Sequence, residues 1–228
     1  MLDKNIDILC IAETKIDSTY PTQQFSIPGY REPYRLDGPK IRECSGGLLV
    51  YIREDIPSKL LTSFKVKSDM QVLPIEINLK NAKWIIIPIY RPPSKDKCEF
   101  NEFIINMLDF YSKTHENFIV LGDFNMEVNE QPMKSLIDSH DLYSLISDPT
   151  CFKNPDGRCI DLILTNKKYN FKYSQTFDTG ESDFHSMIYT MFKSTFAKLP
   201  PKSVKYRCYK NFDFNAFEND LNSSLNLI

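Results

Sequence analysis

The sequence predicts an α/β domain built from layers of helices and sheets. Short apolar runs of strand length outnumber the helical stretches, and the helical stretches fall between groups of strands. That arrangement is typical of layered α/β folds rather than of all-α or all-β folds. With 228 residues, the chain is long enough for one large domain with a short extension after it.

The predicted strands are short apolar segments that end at turn or polar residues. Gly46-Gly47 begins one of them, and a turn at residues 81–83 joins two others into a hairpin. Residues 71–79 alternate between apolar and polar side chains like a half-exposed strand. In chain order, the predicted strands cover residues 7–12, 48–52, 71–79, 84–90, 118–121, 159–165, 171–177 and 185–192.

Two helices are predicted between these strands. Residues 99–111 place apolar side chains at helical spacing on one face, and Ser94 after Pro92-Pro93 is the expected N-cap. A second helix is predicted over residues 131–146. Pro200-Pro201 marks the expected end of the domain.

Composition excludes several classes of function. Charged residues make up 25% of the chain, and the longest apolar run, residues 84–89, is far shorter than the roughly 20 residues that cross a membrane. No membrane partner is therefore expected. Six scattered cysteines without a Cys-x-x-Cys pair, and an N-terminus without a signal-peptide core, predict an intracellular protein without a zinc site.

Polar residues stand where the predicted strands begin or end, the position at which a sheet edge forms a site. Side chains two residues apart on an extended chain point the same way, so Asp123 and Asn125 are predicted to converge while Phe124 enters the core. A carboxylate suits Mg²⁺ and an amide suits a phosphate oxygen, although a simple turn explains residues 122–125 equally well. The set comprises Glu13, Tyr90, Asp123, Asn125, Asp161, Asp183 and His185.

These residues form motifs that resemble those of one family. Gly122-Asp123-Phe124-Asn125 is similar to the GDFN motif of the endonuclease/exonuclease/phosphatase superfamily, which includes apurinic endonucleases and pancreatic deoxyribonuclease. Ala12-Glu13-Thr14 resembles the metal-ligand glutamate motif of that family. Ser182-Asp183-Phe184-His185 resembles its terminal Ser-Asp-His motif with one residue inserted.

Two further motifs resemble those of jockey-like non-LTR retrotransposon endonucleases. One is Ile89-Tyr90-Arg91-Pro92-Pro93-Ser94, and the other is Pro149-Thr150-Cys151-Phe152 followed by Ile160-Asp161-Leu162-Ile163-Leu164. All five motifs keep the family's order from residue 6 to about residue 192. The resemblance implies the four-layer α/β/β/α sandwich of this superfamily.

The resemblance also implies a role for each site residue. Glu13 binds Mg²⁺, with Mn²⁺ as an alternative, and Asp183 assists the metal or the base. Asp123 orients or deprotonates the attacking water, while Tyr90 and Asn125 hold the phosphate. Water then attacks phosphorus in line and leaves a 3′-hydroxyl and a 5′-phosphate.

Other residues are expected to support that chemistry. Asp161 orients His185. Thr150 supports the site through a hydrogen bond and lies among the substrate-binding residues. Arg91 is expected to touch a backbone phosphate, with a strand-edge charge beside two prolines as the alternative.

Two departures from the family pattern bear on the site. Only 12 residues precede Glu13, so the family's first strand, with its asparagine, and the helix after it are expected to be missing. The inserted Phe184 would put Asp183 and His185 on the same side of an extended chain. We predict that a local bulge returns His185 to Asp161.

The function predicted from these features is that of a Mg²⁺-dependent endonuclease domain, residues 1–196, from a retrotransposon-derived protein that nicks DNA in the nucleus. Residues 197–228 are predicted to be a connector toward a reverse transcriptase that is not among the 228 residues. Two alternatives stay open. One is an inactive, truncated relic of such a domain, and the other is a phosphatase of the same fold.

Overall fold

The chain divides into two compact units, Met1–Ala197 and Lys198–Ile228. The first unit contains all of the sheets and both helices that pack on them. The computed structural model describes residues 6–38, 40–41, 43–44, 46–79, 82–178, 180, 182, 184–193 and 212–225.

The strands are short, and most follow the apolar runs of the sequence. In chain order they are β1 (Ile8–Ala12), β2 (Tyr34–Leu36), β3 (Lys40–Ile41), β4 (Glu43–Cys44), β5 (Leu48–Ile52), β6 (Ser58–Leu60), β7 (Gln71–Val72), β8 (Ile75–Leu79), β9 (Ala82–Tyr90), β10 (Asn117–Asp123), β11 (Tyr143–Ser144), β12 (Asp161–Thr165), β13 (Phe171–Phe177) and β14 (Met187–Phe192).

The largest sheet determines where the site residues lie. It has seven strands in the order β11-β12-β10-β9-β8-β6, with β7 paired to the end of β9. Strands β9 and β10 run parallel with Tyr90 beside Asp123, and β12 runs antiparallel to β10 with Asp161 beside Asp123. Three polar residues from three neighbouring strands therefore lie in register at one edge of this sheet.

Two helices cover one face of the seven-stranded sheet. Helix α1 (Lys97–Ser112) confirms the predicted amphipathic helix, but its N-cap is Asp96 rather than Ser94. A carboxylate of Asp96 accepts a hydrogen bond from the backbone N–H of Glu99 at 2.8 Å, which satisfies a donor of the first turn. Helix α2 (Gln131–Ser139) packs beside α1.

The seven-stranded sheet separates two apolar layers. The side chains of Ile87 and Val120 point toward α1 and α2, whereas Trp84 and Ile86 point toward the smaller sheets. Because a strand alternates its side chains, a strand that is buried on both faces must be apolar at nearly every position. The continuous apolar run of β9 meets this requirement, and Trp84 packs edge-on against Phe171 of β13.

Two of the three smaller sheets among the described residues lie on the other side of that second layer. One is a three-stranded sheet in the order β1-β5-β2, and β13 and β14 form a two-stranded sheet. A third apolar cluster on the outer side of β5 includes Leu49 and Tyr51 and is covered by Tyr30 and Phe25. Among the described residues β1 pairs with β5 alone. The expected absence of a preceding strand and helix stays a prediction.

The structure corrects two predicted elements. The predicted strand over residues 71–79 is divided into β7 and β8, because Pro74 lacks the N–H that a continuous ladder needs. The predicted helix over residues 131–146 ends at Ser139, where Asp141 adopts a left-handed backbone with φ 49°. The hairpin of β8 and β9 is confirmed, although residues 80 and 81 of its turn lie outside the described residues.

The second unit contains a helix that sequence reasoning did not predict. Helix α3 spans Phe214–Leu225, and the Asp213 carboxylate accepts a hydrogen bond from the Ala216 N–H at 3.0 Å. In the part of the chain that the structure describes, no helix is both long enough and apolar enough to cross a membrane.

Candidate active site

The expected site residues that the structure describes come together at the edge defined by Tyr90, Asp123 and Asp161. Glu13 reaches this edge from the end of β1, because the Tyr90 hydroxyl donates a hydrogen bond to the Glu13 carboxylate. Burial, followed by this bond and the Glu13 charge, raises the pKa of Tyr90 well above its usual range. The Tyr90 side chain is therefore a hydroxyl donor at every physiological pH.

A glycine turn before β5 fixes the backbone that follows β1. The N–H of Lys15 donates to the Gly46 carbonyl at 2.8 Å. The N–H of Gly47 donates to the Gln71 side-chain oxygen at 2.7 Å, and Gln71 is only 4% exposed. Because the register places Gln71 beside Tyr90, one buried amide connects this turn to the Tyr90 strand.

Glu13 itself adopts a left-handed backbone conformation with φ 53°. Residues other than glycine rarely adopt this conformation, and those that do concentrate at functional sites. Asn125 is a second site residue with this property, at φ 48°. The fold therefore holds two of the expected site residues in conformations that cost free energy locally.

The Asp123–Asn125 pair confirms the predicted convergence. One Asp123 oxygen accepts from the Asn125 backbone N–H at 2.7 Å, and the other accepts from its side-chain amide at 2.9 Å. Phe124 between them is fully buried, as expected. Burial first, and then the neighbouring charge of Asp161, raise the pKa of Asp123 to about 7, although the Asn125 N–H opposes the shift.

Gly122 allows β10 to lie close to β9 at this point. A Cβ atom at position 122 would collide with the carbonyl oxygen of Ile89, and the glycine backbone has φ 135°. Any larger residue would therefore push the Asp123 strand end away from the Tyr90 strand end. The close approach of two strands within the sheet therefore explains why the GDFN motif has a glycine at this position.

Arg91 is placed inside the protein rather than at its surface. It is 2% exposed, and its guanidinium donates to the carbonyl oxygens of Phe124 at 2.7 Å, Asn125 at 2.9 Å and Pro92 at 3.1 Å, and also to that of Lys95. In return, the Asn125 side-chain amide donates to the Arg91 carbonyl at 3.0 Å. The structure thus directs this side chain to backbone carbonyls, and the expected phosphate contact stays a prediction.

His185 contacts Asp161 as predicted. Its Nδ1 lies 3.0 Å from an Asp161 carboxylate oxygen. This hydrogen bond, opposed by partial burial, raises the pKa of His185. With Nδ1 engaged, Nε2 is the ring nitrogen that is left to exchange a proton with another group.

Thr150 supports the Asp161–His185 pair through hydrogen bonds to the backbone on both sides of it. Its buried hydroxyl oxygen accepts hydrogen bonds from the backbone N–H groups of Asp161 at 3.0 Å and Ile160 at 3.2 Å. Its carbonyl accepts from the Ser186 N–H at 2.8 Å. The predicted supporting hydrogen bond is confirmed, and its buried position ties the start of β12 to the segment that carries His185.

Phe184 does not take the place of His185. Phe184 is 48% exposed, and its carbonyl accepts a hydrogen bond from the Phe152 N–H at 2.8 Å. Asp183 lies outside the described residues. For that reason the bulge predicted for this segment, and the role predicted for Asp183, stay predictions.

The carboxylates of the site offer oxygen ligands that suit a divalent cation. Among the described residues, no three His, Cys, Asp or Glu side chains form a group that could hold a metal ion. Mg²⁺ does not require such a group, because it binds one or two carboxylates and fills its other positions with water and substrate phosphate. The Glu13 carboxylate at the edge of the site fits a cation held in this way.

Comparison with known proteins is consistent with this geometry. The model of the Endonuclease/Exonuclease/phosphatase family matches residues 1–183, so the chain belongs to that family. No match was found among curated protein sequences.

Several solved structures share the fold at low sequence identity. An AP endonuclease, LMAP from Leishmania major, superposes with a TM-score of 0.67 at 13% identity, covering 84% of this chain and 80% of that chain. The endonuclease domain of TRAS1, a telomere-specific non-LTR retrotransposon, gives 0.63 at 11% identity, with 84% and 88% covered. The 3′ phosphatase NExo from Neisseria, bound to a product DNA hairpin, gives 0.59 at 16% identity, with 84% and 91% covered.

Sequence reasoning missed the buried polar residues behind the site. Gln71 was assigned to an ordinary strand, and nothing local distinguishes a glutamine that accepts a backbone hydrogen bond from one that faces solvent. The carbonyls that surround Arg91 come from two separate segments, residues 92–95 and 124–125. The only signal in the sequence was an arginine enclosed between an apolar strand and two prolines.

Proposed function

We propose that the chain is a Mg²⁺-dependent endonuclease that hydrolyses phosphodiester bonds in DNA. The observation that carries this proposal is the meeting of three hydrogen-bonded pairs at one sheet edge: Tyr90–Glu13, Asp123–Asn125 and Asp161–His185. Each pair combines a carboxylate with a donor, which is the chemistry that phosphate ester hydrolysis requires. Family membership supports hydrolysis as the reaction class.

Asp123 is the residue best suited to act on the attacking water. A general base works best when its pKa lies near the working pH, and the pKa of Asp123 is raised to about 7. Its two hydrogen bonds with Asn125 fix the direction of the carboxylate. We assign to Asp123 the alignment or deprotonation of water. We assign to Asn125 a contact with a phosphate oxygen that takes over one of its two amide hydrogens, which the Arg91 carbonyl and the Asp123 carboxylate accept in this structure.

His185 and Tyr90 act on the phosphate itself. The Asp161 contact holds the His185 ring by Nδ1, so that Nε2 can donate to a phosphate oxygen. The raised pKa of His185 favours the charged imidazolium, which offsets charge that develops during the attack. The Tyr90 hydroxyl stays protonated, and we assign it a contact with the phosphate that forms when its single proton turns from the Glu13 carboxylate to a phosphate oxygen.

Glu13 is the residue that would hold Mg²⁺, and Asp183 is proposed to assist it. When bound, Mg²⁺ supplies positive charge that offsets the charge on the phosphate oxygens. Mn²⁺ fits the same carboxylate chemistry, so both cations belong in any assay.

DNA is proposed as the substrate because three structural relatives are named for DNA-related activities or complexes. They are an AP endonuclease, a retrotransposon endonuclease domain and a 3′ phosphatase bound to a DNA hairpin. We extend the proposal to a retrotransposon-derived protein that acts in the nucleus, with a reverse transcriptase in the same chain. Motifs of the jockey-like type, such as Tyr90-Arg91-Pro92-Pro93, support that extension.

Conversion of supercoiled plasmid to nicked circle tests the proposal. The chain should nick with Mg²⁺ and not with EDTA, and Asp123→Ala should lower the rate by about 10²- to 10⁴-fold. Asp138→Ala, at an exposed position on α2, is the matched control and should nick like the wild type. Release of phosphate from a 3′-phosphorylated oligonucleotide without nicking would favour the phosphatase. No turnover with either cation would indicate an inactive relic.

A further inference from the structure

A buried glutamine, Gln71, lies behind the backbone that carries Glu13. It is 4% exposed, and the antiparallel pairing of β7 with β9 sets it directly opposite Tyr90. Side chains of directly opposed residues project from the same face of a sheet. In agreement, the Tyr90 hydroxyl reaches the Glu13 carboxylate, and the Gln71 side chain reaches the turn at Gly47. Two neighbouring side chains of one sheet face therefore act on the region of Glu13.

The Gln71 amide contacts both glycines of the turn that precedes β5. Its Oε1 accepts a hydrogen bond from the Gly47 N–H at 2.7 Å. At Gly46 the amide fills the space of a side chain, because a Cβ atom there would lie 2.4 Å from both Oε1 and Nε2. The two glycines have φ 76° and φ 96°, a region of backbone conformation that favours glycine. Gln71 thus fixes the turn through a hydrogen bond and through close packing.

This turn is hydrogen-bonded to the backbone next to Glu13. The Gly46 carbonyl accepts from the Lys15 N–H at 2.8 Å, and the Gly47 carbonyl accepts from the Thr14 N–H at 3.4 Å. A Cβ atom at Gly47 would lie 2.4 Å from the Thr14 hydroxyl oxygen, so the two segments are in close contact. Glu13 and Lys15 both have φ 53°, a conformation that persists in such residues only when their surroundings impose it. The turn supplies part of those surroundings.

We propose that Gln71 is a positioning residue that sets the affinity of Glu13 for its divalent cation. This inference rests on the proposed Mg²⁺-dependent function and names a residue that tunes it. Mg²⁺ binds to only one or two protein carboxylates, so its affinity depends on the direction in which each carboxylate points. Tyr90 holds the Glu13 carboxylate directly. Gln71 does not touch the cation, and acts through the turn on the backbone from which Glu13 projects.

Binding of Mn²⁺ to the full chain without DNA, followed by electron paramagnetic resonance, tests the inference without turnover. Glu13→Gln should lose this binding and so identifies the site. Gln71→Met has a similar length but no acceptor, and should weaken Mn²⁺ binding by about 10-fold, the lower end of the effects of residues that orient a metal ligand. Its nicking should need about 10-fold more Mg²⁺ for half the maximal rate but reach the wild-type rate at saturating Mg²⁺.

Two further variants separate positioning from stability. Gln71→Glu keeps an oxygen for the Gly47 N–H, so it should bind Mn²⁺ at least as tightly as the wild type. Its buried carboxylate should nevertheless lower the free energy of unfolding in urea. Gly46→Ala displaces the amide from the other side of the same contact and should weaken Mn²⁺ binding. It supplies the test if Gln71→Met does not fold.

Thr165→Val is the matched control. Buried Thr165 also makes a side-chain hydrogen bond to the backbone, to the Phe118 carbonyl at 2.8 Å, but at the end of β12 opposite to Asp161. The control should lose stability and keep its Mn²⁺ affinity.

The inference is overturned if Gln71→Met or Gly46→Ala folds and binds Mn²⁺ like the wild type. It is also overturned if Gln71→Glu weakens binding as much as Gln71→Met does, or if the wild type binds no Mn²⁺. A chain that shows the expected affinities but never nicks plasmid retains the positioning role and loses the endonuclease. A chain that nicks, with the same Mg²⁺ requirement in Gln71→Met, does the reverse.

Discussion

Asp123 and His185 belong to the same site but lie in different surroundings. Asp123 is 8% exposed and is enclosed by residues of the large sheet, whereas 28% of the His185 side chain is exposed on a segment outside that sheet. We call Arg91, Asp123 and Asn125 the buried corner, and Asp161 and His185 the open corner. In the buried corner burial dominates the pKa of the carboxylate. In the open corner one hydrogen bond dominates the pKa of the imidazole.

The two corners shift the pKa of a titratable side chain in different ways, one by burial and the other by a hydrogen bond. The buried corner accepts a cost in folding free energy, because it encloses a carboxylate that water would solvate better. Its partners are backbone groups and one amide, which cannot move without unfolding the loop. The open corner relies on a single partner in contact with solvent. A substitution in the buried corner should therefore change the free energy of unfolding. A substitution in the open corner should mainly change the pKa and the orientation of the His185 imidazole.

The largest expected effect concerns Asp123 and pH. Its pKa is about 7 in the folded protein and about 3.9 in an unfolded chain, so the folded state binds more protons between these values. The free energy of unfolding should thus fall as pH rises from 4 to 7, by up to about 4 kcal/mol, and level off above pH 7. Asp123→Asn lacks this charge and should be more stable than the wild type at pH 8 but not at pH 4.5.

Urea unfolding of both proteins in EDTA, at several pH values, measures this difference. Asp138→Asn on the surface of α2 should follow the wild-type curve and serves as the control. Equal stabilities of Asp123→Asn and wild type at pH 8 would mean that the carboxylate is better solvated than its burial indicates.

The second expected effect tests whether Arg91 holds the buried corner together. Arg91→Met removes the donor to four backbone carbonyls and should lower the free energy of unfolding by about 3 kcal/mol, since buried acceptors lose charged partners. Arg31→Met is the control, because exposed Arg31 donates to the Glu54 carbonyl at 3.0 Å and should cost about 0.5 kcal/mol or less.

Salt dependence separates this role from the phosphate contact that the sequence predicts. If Arg91 touched phosphate, Arg91→Met would keep its stability and would lower the slope of DNA affinity against salt by about one. If it positions Asn125, stability and nicking rate fall while the salt slope stays the same.

The third expected effect concerns the open corner. Asp161→Asn removes the negative partner of His185, so the pKa of His185 should fall toward its ordinary value. Nicking at pH 7.5 should drop by about 10- to 100-fold, because less imidazolium is present and the ring is less well oriented. Titration of the ring followed by NMR measures the pKa directly. An unchanged pKa would show that Asp161 does not govern this histidine.

The sequence predicts the parts of the fold that depend on local periodicity. Helix α1 carries apolar residues at helical spacing over its whole length, and β9 is a continuous apolar run, so the predicted bounds of both elements agree closely with the structure. The end of α2 was not predicted correctly. It depends on the left-handed backbone of Asp141, which an aspartate permits but does not require. Strands as short as β2 and β6, three residues each, offer too few positions for a period to be recognised.

The site follows the same division. Glu13, Asp123 and Asp161 were found because strand ends and family motifs identify them. The support from Gln71 and Arg91 could not be predicted, because it depends on backbone groups from segments that are distant in sequence. Site residues that belong to a motif can be predicted from the sequence. The residues that position them can be identified only once the fold is known.

The smallest expected effect concerns a buried polar residue away from the site. Asn101 on α1 is 2% exposed, and neither its side-chain oxygen nor its nitrogen has a hydrogen-bond partner among the described residues. In the buried corner, by contrast, the enclosed groups are paired. An unpaired buried amide costs free energy without a compensating bond, so replacement by an apolar residue of similar size should stabilise the protein. Asn101→Leu should raise the free energy of unfolding by about 1 kcal/mol.

Asn106→Leu is the matched control, because Asn106 lies on the exposed face of the same helix. It should change stability by less than about 0.5 kcal/mol, apart from a small gain in helix propensity. Both variants should nick plasmid like the wild type, since neither position reaches the sheet edge. If Asn101→Leu is neutral or destabilising, a bound water satisfies the amide. Asn101 and the buried corner would then no longer differ, because the buried polar groups of both would have hydrogen-bond partners.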